Sequence, residues 1–284
     1  LSRNSDRLGA PQPKAADVIP TATESAFDPL NFVAPTEFVE LPSKGIGYPE
    51  DHPLHNQETI EIRYMTAKDE DILASRALLK KGIALERFME SIIVNKSVKP
   101  GELFVGDRNA IIIAARRSGY GANYETLVTC PACGAKNTFS FDLNNVKVHE
   151  PLFTEELKIT RNDSGTFNTI MPHTKFKVEF KLLRGEDENY LANLIQEKRK
   201  RKIIETPLSD QYKQMIVSIE GHADHSIISR YVANMPTLDS RHLRLCYKSI
   251  SPDVKIENEF TCPACDHTEE VDVPFGTDFF WPNK

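Results

Sequence analysis

The chain has 284 residues, 40% hydrophobic and 27% charged, with a formal net charge of −6. No apolar run approaches the ~18 residues of a spanning helix, no positive–apolar–small leader opens the chain, and the acidic balance does not suit a general polyanion binder. Membrane spanning, secretion and nucleic-acid packaging are therefore disfavoured, and the length suits one large domain or two small ones.

Residues 1–56 read as an extended N-terminal arm. Prolines recur at 11, 13, 20, 29, 35, 42, 49 and 53, and no helical or strand period persists. Apolar clusters punctuate it, with Phe27, Leu30 and Phe32 in one and Phe38 and Leu41 in the next. Such composition also describes a disordered tail. The sharper expectation is an arm that lays Phe27, Leu30, Phe32 and Phe38 on a neighbouring subunit.

The rest divides into two halves, 57–150 and 151–284. Ile60–Met65 leads into Asp69-Glu70-Asp71-Ile72-Leu73, as Val178–Leu183 leads into Asp187-Glu188-Asn189-Tyr190-Leu191. The interval from Asp107 to Cys130 equals that from Asp239 to Cys262, and each copy then reads Thr-Cys-Pro-Ala-Cys. The expected fold is α+β: a duplicated unit of strand, helices and zinc-knuckle hairpin in a pseudo-twofold arrangement, plus the long arm.

Alternation predicts strands over 58–64 and 175–183, and short strands over 122–129, 135–142, 254–261 and 268–274. Thr66 followed by acidic residues predicts a capped helix through Leu79 that stops at Gly82. Further helices are expected around Leu85–Ile92 and Ile111–Ala115, and over 186–202, 208–220 and 238–250. A second-half surplus falls around the basic run Lys198–Lys202. That run could touch nucleic acid, a lipid head group or an acidic partner, with a solvated helix as the default.

Four of the five cysteines, Cys130, Cys133, Cys262 and Cys265, form two CxxC pairs. Two such turns supply the four thiolates of a structural zinc site, with no position left for substrate. An iron–sulfur cluster uses the same donors. A thioredoxin-like reading is weaker, because strands rather than helices follow both motifs. Disulfides, or thiols that hold nothing, are further alternatives. Cys246 reads as a small buried hydrophobe.

No phosphate loop, zincin or nucleophile-elbow motif is present, so no enzyme is expected. Gly45-Ile46-Gly47 reads as a turn. His52 with His55, and His222 with His225, read as loop histidines. Phe279, Phe280 and Trp281 near the C-terminus are costly to leave in water. They are expected either to fold back on the second half or to anchor in a partner.

Several segments together resemble the T4-type bacteriophage baseplate hub proteins and hub assembly chaperones. They are Glu40–Gly45 with Gly47-Tyr48-Pro49, Met65–Leu73, Leu78–Gly82, Gly106–Ala110, Ser118–Gly121 and the first Cys-Pro-Ala-Cys-Gly. Asn234-Met235-Pro236 and Asp278–Pro282 resemble longer tail relatives. The resemblance implies a structural component of a contractile-tail baseplate hub. Its partners would be other hub and tail proteins, including a tape measure, in several symmetric copies without a membrane. It would reside in the virion tail baseplate, and in host cytoplasm during assembly. Alternatives are an assembly chaperone absent from the mature virion and a nucleic-acid-binding zinc-ribbon protein.

Overall fold

The computed structural model describes residues 33–256, 259–271 and 279–280. The chain separates into Leu1–Val33 and a body, Ala34–Lys284. Phe27, Leu30, Phe32 and Trp281 lie outside the described residues.

The body opens with β1 (Thr36–Glu40), which pairs antiparallel with β2 (Thr59–Arg63). The expected arm therefore reaches only part of the way to residue 56. Val39, Leu41, Tyr48 and Leu54 are buried in the common core. Their prolines mark turns between anchored residues rather than free chain. Phe38, on the outer face of β1, is 71% exposed.

The segment after β2 forms α1 (Ala67–Ala74), α2 (Arg76–Lys81) and α3 (Ala84–Ile92). One helix was expected to run to Gly82, but Ser75 adopts extended backbone and divides it. Burial ends at Leu73, and α2 buries no residue, so nothing in the core holds the helix straight. In α3, Ala84, Phe88, Met89 and Ile92 are buried on one face.

The central α4 (Val105–Tyr120) is buried on nearly every side from Gly106 to Arg116. A Cβ at Gly106 would stand 2.0 Å from the Pro252 carbonyl, so only glycine lets α4 approach the second half there. The hairpin β3 (Asn123–Thr129) and β4 (Lys136–Asp142) follows, then β5 (Val146–His149).

The second half contributes an antiparallel four-stranded sheet. It contains β6 (Thr160–Arg161), β7 (Phe167–Ile170), β8 (Lys177–Phe180) and, later, β9 (Ile216–Ile219). Between β8 and β9 run α5 (Gly185–Lys200) and α6 (Pro207–Met215). The helix expected over 208–220 thus ends early. Ile216-Val217-Ser218-Ile219 is rich in β-branched residues and pairs with β8. Then come α7 (His225–Asn234), α8 (Thr237–Ile250), β10 (Asp253–Ile256), β11 (Glu259–Thr261) and β12 (Thr268–Glu270). Strand β10 pairs with β5, joining the two halves.

Four helices begin on a buried aspartate at their third position: Asp69 in α1, Asp107 in α4, Asp187 in α5 and Asp239 in α8. There a carboxylate meets unpaired N–H groups and the positive end of the helix dipole. Asp69 accepts from the Thr66 N–H, and Asp187 from the Arg184 N–H at 2.9 Å. Asp107 accepts from the Ser43 N–H at 3.0 Å and the Ser43 and Tyr48 hydroxyls, each at 2.6 Å. Asp239 accepts from the His173 N–H at 2.7 Å and from the N–H and hydroxyl of Thr174. Both donor loops, Leu41-Pro42-Ser43-Lys44 and Met171-Pro172-His173-Thr174-Lys175, carry a lysine at positive φ, 49° at Lys44 and 61° at Lys175.

Phe279 and Phe280 are each 1% exposed. Both meet rings of the first half: Phe280 lies edge-on to Phe88 at 5.0 Å, and Phe279 stands 4.8 Å from Tyr124. Both rings thus form part of the buried core of the body.

Candidate metal centre

Each CxxC motif sits at the tip of an antiparallel hairpin. The last pairs are Thr129 with Lys136 in one and Thr261 with Thr268 in the other, so both loops have the same length. Their backbones match bond for bond. The Cys130 N–H donates to the Ala135 carbonyl, and the Cys262 N–H to that of His267, both at 2.9 Å. The Gly134 N–H returns to the Cys130 carbonyl, and the Asp266 N–H to that of Cys262, again at 2.9 Å. Gly134 and Asp266 hold the left-handed conformation that reverses each turn, with φ of 74° and 53°.

The hairpins meet beside these tips. Phe139 of β4 packs edge-on against Phe260 of β11 at 5.5 Å. The contact brings the four sulfurs within 4.8 Å of one another. Cys130 and Cys265 are 3.7 Å apart, as are Cys133 and Cys262. A tetrahedron with metal–sulfur bonds of about 2.3 Å has edges of about 3.8 Å. The spacing fits four ligands around one ion and is too wide for any disulfide; all five cysteines are free. A multi-iron cluster spreads its thiolates over several irons and suits this compact set less well.

The first cysteine of each motif is buried and the second is exposed, so the site faces solvent on one side. The Ala264 N–H, helped by hydrogen bonds from Cys130 and Cys133, outweighs burial and holds the Cys262 thiol down to about 6. Cys265 takes an N–H bond from His267 that favours its thiolate. Hydrogen bonds with its neighbours Cys133, Cys262 and Cys130, together with burial, push it up to about 12. Asn137 of β4 directs its side-chain N–H toward the Cys262 sulfur at 3.7 Å. Sequence reasoning did not single out Asn137; a polar residue four positions beyond the second cysteine was its only signal.

Cys246 is buried near His242 and Thr169, and burial pushes its thiol up. His52 stacks on Tyr48 at 4.3 Å and accepts the Leu54 N–H. Exposed His225 opens α7, behind Asp224, which caps the helix by accepting the Ser226 N–H. Among the described residues, the four cysteines are the one cluster of donors able to hold a metal. No helix there is long and apolar enough to cross a membrane.

A family model described as T4 bacteriophage base plate protein matches residues 36–281. No curated protein and no solved structure matches the chain.

Proposed function

The chain belongs to the T4 bacteriophage base plate protein family, and from that premise we propose that it is a structural subunit of the baseplate hub. It acts as a zinc-stapled scaffold that binds neighbouring tail proteins and turns over no substrate. The observation that carries this reading is the convergence of Cys130, Cys133, Cys262 and Cys265 from two separate hairpins onto tetrahedral spacing.

One zinc ion held there locks the β3–β4 hairpin to the β11–β12 hairpin. All four positions are filled by protein, so the ion serves as a fastener rather than a reaction centre. The two halves are read as related units about a pseudo-twofold axis through the ion. The matching knuckles support this, as do the paired aspartates Asp69 with Asp187 and Asp107 with Asp239. Partner contacts are assigned to exposed Phe38 and to the segments carrying Phe27, Leu30, Phe32 and Trp281.

Metal analysis tests the fastener. The purified protein is expected to carry one zinc per chain, and Cys130→Ser or Cys262→Ser to lose it. A wild-type protein without zinc or iron would refute it. Purified virions test the role. A band for this chain in the mature particle supports a hub subunit, and its absence supports an assembly chaperone.

A further inference from the structure

The end of α5 and the start of α6 project beyond the packed body. Every residue from Arg199 to Leu208 is exposed. The first turn of α5 is anchored by buried Gly185 and Asp187, but its last two turns bury no residue. The projection is nonetheless built. Lys198 pairs with Asp210 across its base, and Arg199 with Glu205 nearer the tip.

Helix α5 ends in a double hydrogen bond. The Ile203 N–H donates to the Lys198 carbonyl at 2.9 Å and the Lys202 N–H to that of Arg199 at 3.1 Å, with Lys202 at φ 55°. In this ending the residue after the left-handed position ordinarily packs on an apolar side chain five positions back. Here that position is Lys198, already committed to Asp210. Ile203 is left 53% exposed and Ile204 84% exposed. Beside them Lys200, Arg201 and Lys202 form no ion pair among the described residues.

From this juxtaposition of two outward branched aliphatics and three unpaired cations at a convex tip, we propose that the α5–α6 tip docks on an anionic lipid surface. The cations meet the head groups, and Ile203 and Ile204 enter the boundary of the acyl region. A nucleic-acid backbone would satisfy the cations and leave both isoleucines in water. A protein acceptor would need a cavity shaped to receive them, whereas a bilayer interface takes them at any orientation. The tip touches the surface without crossing it. This assignment stands apart from the metal centre and from the hub role.

The test is co-sedimentation of the full-length protein with vesicles of phosphatidylcholine alone or mixed with phosphatidylglycerol. Binding is expected only with phosphatidylglycerol present, weakening as salt rises. Lys200→Gln, Arg201→Gln and Lys202→Gln together should lower it by about fivefold per cation removed. The Ile203→Ser/Ile204→Ser variant keeps every charge and should still lose binding several-fold. All five positions are exposed, so thermal unfolding of both variants should match the wild type. Absence of vesicle binding overturns the proposal, and so does binding that ignores the isoleucine changes. Tight binding to a short DNA duplex that the Ile203→Ser/Ile204→Ser variant retains, without vesicle binding, would reassign the tip to nucleic acid.

Discussion

Asp107 and Asp239 occupy the same position in two different helices, the third residue of α4 and of α8. Each carboxylate takes a backbone N–H and a hydroxyl from a Pro-containing loop that follows a strand: Ser43 serves Asp107, and Thr174 serves Asp239. The carboxylate thus ties the loop to the helix and covers free N–H groups at the helix start. Burial pushes the Asp107 carboxyl up against the Ser43 and Tyr48 hydrogen bonds, whereas at Asp239 the His173 and Thr174 bonds outweigh burial and hold it down.

Asp107→Asn should destabilise the body by about 1–3 kcal/mol, because an amide keeps one acceptor oxygen where the carboxylate offered two to the Ser43 N–H and the Ser43 and Tyr48 hydroxyls. Asp239→Asn should cost a similar amount. Urea unfolding of the two single variants measures both; a change within error at either site would show that its loop is held by other contacts.

Acid should weaken the α1 cap. Burial pushes the Asp69 carboxyl up, but Arg63, Ser91 and Thr66 hold it down, at about 2 against an ordinary value of 3.8. A folded value below the unfolded one gives stability that is complete above pH ~4 and lost as the pH falls from 3.8 toward 2. Asp69→Asn should flatten that part of the stability–pH curve, read by urea midpoints at successive pH values.

Phe280→Ala should cost about 3–5 kcal/mol in the isolated protein, since a fully buried ring is removed from against Phe88. Phe38→Ser should change stability by no more than about 0.5 kcal/mol, given an exposed ring. Any defect of the second variant would then appear only in assembly. Equal stability loss in both would contradict the packing.

Truncation should separate the arm from the body. Removal of 1–33 leaves every buried residue of the body in place, and cooperative unfolding should persist. Removal of 1–56 also takes β1, Leu41, Tyr48 and the Ser43 tie to Asp107, and the product should be unfolded or aggregated. Circular dichroism and a urea curve distinguish the two.

Cys246→Ala should leave the metal content unchanged, because Cys246 is buried with His242 and Thr169, apart from the four clustered sulfurs. Loss of metal in this variant would show that the ion depends on packing far from its ligands.

The spacing of the two Cys-Pro-Ala-Cys motifs and the capped start of α1 at Thr66 were legible in the chain itself, because a knuckle and a helix cap are local devices with short, fixed residue patterns; that Asp107 also opens a helix was not, since that helix was expected only from Ile111. So were most strands and helices, because many of them, such as α3, bury one face. The tertiary structure alone decided which way Phe279 and Phe280 turn, that β1 belongs to the body, and that Ile216–Ile219 is a strand beside β8. It also decided that Phe139 meets Phe260, the contact that closes the sulfurs onto one another. Apolar residues state only that they leave water; their partners depend on what the rest of the chain brings within reach.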